Sequence, residues 1–413
     1  MTIAIVCWTL LGGVLAYFAL LANQFVRLYY MPSPGIPDEQ LPKVGVLLTL
    51  RGADPFLEHC LRGVFSLDYP RHEVQVIVDS RQDPAWAVVE RVRQELRPAN
   101  VTVQPLTEFS STCSLRMCAL LQGIASLDKS VEIITWLDAD TIPYRRWLRD
   151  LVAPFQDPQV GLSHGLRWFN PREGSLGSMV RHIWNAAALL QMCAMKIAWG
   201  GSCAIRRSTF ESAGLPEIWS RIMFEDTCAA NAVLKLGQRV AVAAPVTMMN
   251  TESTSLSGCL KFMARQLLNL RLYHRAWLDV LWTGMLTVLI VGANMALPIW
   301  AAVSGERFVL IGCGIAWSTF ILGLIALLLR TEFAIRKLLT SRGESYSLPS
   351  LRMIPAGLLM FFVYGAALLR AMFEKDIAWR GIRYRIDGPF QIARLNYEPF
   401  NPGKSSEGAT HSV

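Results

Sequence analysis

Three apolar runs without a single charged side chain constrain this chain more than any other feature. Residues 1–26, 281–303 and 308–329 contain no Asp, Glu, Lys or Arg, and each is long enough to cross ~30 Å of hydrocarbon as a helix. A fourth run, residues 353–369, lies between Arg352 and Arg370 and sits at the short end of that range. Residues 183–205 are also apolar, but Asn185, Gln191 and Lys196 interrupt them, which reads as core or interface rather than a span. With 52% hydrophobic and 17% charged residues, the whole chain is not an ordinary soluble enzyme. The expected organisation is a transmembrane anchor at 1–26, a polar block at 43–275, membrane helices within 281–371 and a basic tail at 372–413.

The first run lacks a positive leading region and a small-x-small cleavage site, and Arg27 follows it, so it reads as an uncleaved anchor. Arg27, Lys43 and the basic residues beyond them favour a cytoplasmic polar block, with residues 304–307 on the far side and loop 330–352 returning inside. One further crossing would put the tail outside, yet Arg370, Lys375, Arg380, Arg383 and Arg385 make that tail basic. Either residues 353–369 re-enter or the tail breaks the charge rule. The net charge of +8 needs no nucleic acid, because basic residues beside membrane segments meet anionic head groups at ~1 kcal/mol each. The nine cysteines form no CxxC pair and no metal spacing with the six histidines, and read as reduced, packed thiols. Residues 405–413 read as a disordered tail.

Within the polar block, strand-like runs at 44–50, 74–78, 101–103 and 131–137 alternate with helical patterns near 54–65, 84–96, 115–125 and 229–236. Such alternation predicts a parallel α/β sheet, whose ligands sit beyond the carboxyl ends of the strands. Asp79 ends the second run, and Asp138-Ala139-Asp140 ends the fourth. Side chains alternate along a strand, so the i, i+2 spacing puts both acids on one side. Two such carboxylates suit Mg²⁺ or Mn²⁺, which fills its shell with substrate phosphates. That is the footing of a nucleotide-sugar site. Glu225-Asp226 precedes a helix, where Asp226 is either an N-cap or a general base for an attacking hydroxyl.

An ordered series of phrases resembles ceramide glucosyltransferase and its bacterial relatives within glycosyltransferase family 2, from Lys43 to about Asp387. It comprises Leu50-Arg51-Gly52-Ala53-Asp54-Pro55, Leu67-Asp68-Tyr69-Pro70, Asp79 with Asp83-Pro84-Ala85, the Asp138 position, His164-Gly165-Leu166, Ser202-Cys203, Glu225-Asp226 and Trp379-Arg380-Gly381. The resemblance implies a GT-A fold and transfer of a hexose, glucose from UDP-glucose, to a membrane lipid hydroxyl such as ceramide, with inversion. It implies a bacterial inner membrane before the ER or Golgi. Arg51, Asp79, Arg116, Asp138 and Asp140 would bind the donor, Asp138 and Asp140 the metal, and Asp226 would be the base. His164, Ser202, Glu225, Arg265, Gln266 and Asn269 would line the acceptor side of the pocket. One departure stands out: after the base the family expects Gln or Arg, two residues, then Arg-Trp. Here Arg265-Gln266-Leu267-Leu268-Asn269-Leu270 keeps the first position and loses the pair, although Arg265 and Asn269 share a helical face. The loss counts against the first alternative, a polysaccharide synthase; the second is a non-catalytic lipid-binding membrane protein.

Overall fold

Seven strands build one sheet in the computed structural model, which describes residues 1–31, 35–171, 174–346 and 353–400. They are β1 (Val44–Leu50), β2 (His72–Val78), β3 (Val101–Pro105), β4 (Ile133–Leu137), β5 (Val160–Phe169), β6 (Ser202–Arg206) and β7 (Arg239–Asn250), in the order β3-β2-β1-β4-β6-β5-β7. The residues expected to be a disordered tail lie outside the described residues. Alternation along the strands puts Val44, Val46 and Leu48 of β1 into one core and Leu47 into the other; β4 divides in the same way, with Ile133 and Leu137 on one face and Ile134 and Trp136 on the opposite one. At Gly165, a Cβ would stand 2.4 Å from the Val246 carbonyl oxygen, so glycine allows β7 to approach β5 closely where the register between them shifts.

The sheet is mixed rather than wholly parallel. β6 runs antiparallel to both β4 and β5, while β1, β2, β3 and β4 pair in parallel. The cause is the helix Leu176–Met195. It returns the chain to the carboxyl edge of β4, where the Asp138 amide donates to the Gly201 carbonyl at 3.1 Å, and β6 must then run back.

Among the described residues, four helices are long and apolar enough to cross a membrane: Thr2–Leu28, Trp277–Val303, Arg307–Ser341 and Met353–Phe373. Trp282, Leu289, Val303 and Phe308 are exposed on their outer faces. The Arg307–Ser341 helix has 35 residues, so it carries part of the expected basic loop as helix, and Arg342 just beyond it donates to the Pro245 and Thr247 carbonyls of the polar block at 2.9 and 3.0 Å. The Met353–Phe373 helix rests on the polar block at both ends. Gly357 faces Ile183 of the Leu176–Met195 helix, and Arg271 of the Leu256–Tyr273 helix donates to the Ala371 and Met372 carbonyls, each at 2.6 Å.

The tail that follows this helix lies against the polar block, tied to it through Arg51–Arg380 and Leu115–Tyr384 hydrogen bonds. It folds into β8 (Asp376–Trp379), β9 (Ile382–Gly388) and β10 (Gln391–Arg394), an antiparallel sheet. Arg380 and Gly381, at φ 48° and 78°, make the two-residue turn between β8 and β9 that suits the twist of a hairpin. Ile382, Tyr384 and Ile386 are buried while Arg383 and Arg385 face out, so these two arginines form one face of a strand.

Candidate active site

Because β1, β2 and β4 are parallel neighbours in register, with Leu50 opposite Val78 and Leu48 opposite Leu137, their carboxyl ends deliver Arg51, Asp79 and Asp138 to one edge. A cleft opens there. It is lined by Arg51, Asp79, Arg116, Asp138, Asp140, Glu225, Asp226, Arg265, Gln266 and Asn269, together with residues not singled out from sequence, chief among them Asp54, Arg167 and Trp199.

Guanidinium groups grip the acidic strand end. Arg116 spans Asp138 Oδ1 and Glu225 Oε1, both at 2.8 Å. Arg167, projecting from β5, reaches Asp138 Oδ2 at 2.8 Å and Asp140 Oδ1 at 3.4 Å. Burial opposes the Asp138 charge, but Arg116 and Arg167 outweigh it and hold the carboxyl below its usual range. Asp140 goes the other way, pushed up to about 6 by burial and by Asp138, against Arg167. Glu225 is likewise pushed up to about 7 by burial, with Arg116 opposing and Asp226 reinforcing.

Asp226 opens the helix Asp226–Lys235 and is half-buried with its carboxylate at the cleft. Its Oδ1 accepts from the Thr227 amide at 2.6 Å and from Asn269 Nδ2 at 2.7 Å, and its Oδ2 from the Gly200 amide at 2.8 Å. The Leu256–Tyr273 helix that supplies Asn269 also presents Arg265 one turn earlier.

Asp79 is at the edge, but its partners fill it. Arg51 pairs with Oδ2, the Phe400 amide donates to Oδ2 at 3.0 Å and the Tyr397 hydroxyl to Oδ1 at 3.3 Å. His164 and Ser202 do not line the cleft. His164 is fully buried on β5, its Nδ1 2.8 Å from the Gly165 carbonyl, and burial lowers it to about 4. Ser202 accepts from Trp147 Nε1 at 2.8 Å inside the core. Both belong to strands whose alternation points them away from the cleft. Arg167 was legible in principle, as a charge inside the otherwise apolar strand 160–169.

The opposite arm of the cleft is mainly apolar, with Asn185 its polar member. Trp184, Ala188, Leu189 and Met192 of the Leu176–Met195 helix and Phe262 of the Leu256–Tyr273 helix line it, and these helices pack among the membrane helices.

The profile of glycosyl transferase family 21 matches residues 7–390. The chain belongs to that family. The ceramide glucosyltransferase resemblance is thereby shown, and the family carrying it is numbered 21. A ceramide glucosyltransferase of Komagataella phaffii is 29% identical over 92 residues, 22% of this chain and 17% of that protein. One of Pyricularia oryzae is 32% identical over 101 residues, 23% of this chain and 18% of that protein; the chain thus matches less than a fifth of either relative. Among solved structures, a mannosyltransferase from Pyrobaculum calidifontis, in complex with GDP-Man and Mn²⁺, superposes with a TM-score of 0.51 at 19% identity. That likeness covers 91% of this chain and 99% of the mannosyltransferase, and fixes the GT-A fold. The chain thus joins a glycosyltransferase family's profile and a GT-A fold to helices long and apolar enough to cross a membrane.

No three His, Cys, Asp or Glu side chains converge as metal ligands among the described residues. Asp138 and Asp140 lie side by side at the end of β4, their oxygens on Arg116, Arg167 and Asn250.

Proposed function

We propose that the protein moves a hexose, glucose by the name its relatives carry, from a UDP-sugar to the hydroxyl of a membrane lipid, with inversion. The observation that carries this reading is the junction within one cleft: charged strand ends on one side, an apolar arm among membrane helices on the other, and Asp226 between them. The polar block faces the cytoplasm on this reading, and a bacterial inner membrane is the expected setting.

In the proposed reaction the lipid hydroxyl oxygen attacks the anomeric carbon as the bond to the diphosphate breaks. Asp226 takes the hydroxyl proton, a task for a carboxylate already oriented by Asn269 and the Gly200 amide. Arg116 and Arg265 face the charge that develops on the leaving UDP. Mg²⁺ or Mn²⁺ held by Asp138 and Asp140 would supply further charge neutralisation; the Mn²⁺ of the Pyrobaculum mannosyltransferase supports the assignment.

The test uses purified full-length protein, labelled UDP-sugars and a total lipid extract, read by mass spectrometry. A single glycolipid product is expected. A ladder of sugar polymers would replace the proposal with a polysaccharide synthase, and lipid binding without any consumption of UDP-sugar would leave a non-catalytic lipid-binding protein.

A further inference from the structure

The guanidinium groups of the cleft are not equivalent. Arg51 pairs with Asp79, Arg116 and Arg167 with Asp138, and Arg380 with Asp54. Arg265 has no such ion pair among the described residues, although it lines the same cleft. Burial, then the like charges of Arg167 and Arg380, lower it to about 10, with Asp138 and Asp140 opposing from beyond ion-pair distance. A cation left unpaired beside two others is a place that an anionic ligand would relieve.

One contact orients that cation. The Arg265 guanidinium lies over the Trp379 ring, 5.6 Å from its centroid. Trp379 in turn packs on Phe224, with centroids 5.9 Å apart, and Phe224 immediately precedes Glu225 and Asp226. An arginine otherwise free to sample its rotamers is held by an aromatic face worth about 0.5–2 kcal/mol to a cation.

Trp379 is fixed by the polar block and not by lipid. It ends β8, and the next residue, Arg380, is tied to the end of β1 in both directions. Arg51 Nε donates to the Arg380 carbonyl at 2.9 Å, and Arg380 Nη1 donates to the Arg51 carbonyl at 3.0 Å. Arg380 also grips both oxygens of Asp54, at 2.9 and 2.7 Å. Tyr384 on β9 accepts from the Leu115 amide at 3.1 Å, anchoring the hairpin to the helix that carries Arg116.

We propose that Trp379, delivered by the C-terminal hairpin, is a positioning residue that aims the Arg265 guanidinium at a diphosphate oxygen of the nucleotide-sugar, so that the tail completes the donor site. This rests on the donor being a nucleotide diphospho-sugar. It makes the tail part of the enzyme's specificity for an anionic donor. Arg383 and Arg385, on the outer face of β9, have no part in it.

The test compares Trp379→Phe, Trp379→Leu, Arg265→Ala and the Trp379→Leu/Arg265→Ala double variant in the full chain, by calorimetric UDP binding and by donor KM and kcat. Trp379→Leu should weaken UDP binding by roughly 3- to 30-fold, the range of one cation–π contact, with the larger share of the loss in KM. Trp379→Phe, which keeps an aromatic face, should recover much of it. In the Arg265→Ala background the further change Trp379→Leu should cost little. Equal losses from Trp379→Leu with and without Arg265, or unchanged UDP binding in a folded Trp379→Leu protein, would overturn the inference. Should Trp379→Leu not fold, Trp379→Phe in both backgrounds reads the same coupling at smaller amplitude. Wild-type protein that binds no UDP at all would instead defeat the nucleotide-sugar reading itself.

Discussion

Replacing Asp226 by Asn changes little in shape and removes a proton acceptor, which lets a catalytic role be separated from a structural one. The carboxylate now satisfies three donors, the Thr227 amide at 2.6 Å, Asn269 Nδ2 at 2.7 Å and the Gly200 amide at 2.8 Å. The Asn side chain offers one oxygen and one NH₂, so at least one of those donors faces another donor. Losing a hydrogen bond to a charged acceptor costs about 1.5–3 kcal/mol of stability. Losing a general base costs turnover as well, about 10²- to 10⁴-fold, or roughly 2.7–5.4 kcal/mol of barrier. The assay is kcat at saturating UDP-sugar, with thermal melting and UDP affinity measured on the same preparations. Asn269→Ala serves as the comparison, since it removes one of the three bonds and leaves the carboxylate. The expected pattern is a small loss in kcat for Asn269→Ala, a loss of at least a hundredfold for Asp226→Asn, and near-normal UDP affinity in both. Turnover of Asp226→Asn within a few-fold of wild type would reduce Asp226 to the first residue of its helix and refute the mechanism.

Stripping divalent cations should abolish UDP-sugar binding, because Asp138 and Asp140 would then face a diphosphate of their own sign; full activity in excess EDTA would leave Arg116, Arg167 and Arg265 to neutralise it. Glu225 is raised from 4.5 to about 7 by burial, so the folded protein binds a proton there that the unfolded chain has lost. Its contribution to stability is therefore present below pH 4.5 and falls as pH rises towards 7, and Glu225→Gln should flatten that fall in melting curves; parallel curves for the two proteins would contradict it. A cysteine placed at Gly388 should be labelled from the same face of the membrane as one placed at exposed Ser130, and labelling from opposite faces would undo the docking of the tail.

Local chemistry made some elements legible. The 84–96 helix was readable because Asp83 precedes Pro84: the Asp83 side chain accepts from the Ala85 amide at 2.8 Å, and proline suits the first helical turn. β1 was readable as an apolar run, because both its faces are covered. Strand direction was not, because alternation of strands and helices counts elements without saying at which edge a helix returns the chain; β6 differs for that reason. In the site, acids at strand ends declared themselves, whereas Arg167 is 27 residues from Asp140 in sequence and meets it only because β5 lies across β6 from β4. His164 and Ser202 share the neighbourhood in sequence terms but point into the core. The tail's Ile382-Arg383-Tyr384-Arg385-Ile386 carries the period of a half-buried strand, yet its net basicity drew attention to lipid head groups instead.

On the proposed reading, the arrangement of the helices around the cleft bears on how a lipid acceptor would reach Asp226. Drawing an acyl chain out of the bilayer costs about 0.8 kcal/mol per CH₂, so a lipid with two long chains cannot be lifted whole into a water-facing pocket at an ordinary rate. The site has to come to the lipid. The Leu176–Met195, Leu256–Tyr273 and Met353–Phe373 helices pack on one another, and the first two line the apolar arm that ends near Asp226 and Asn269. The last packs on the other two, and the tail that follows it lies against the polar block. On the proposed reading, a lipid keeps its chains among apolar side chains while its head-group hydroxyl enters the arm. The sugar donor, whose charges belong in water, arrives from the opposite side between Arg116, Arg265 and the C-terminal hairpin.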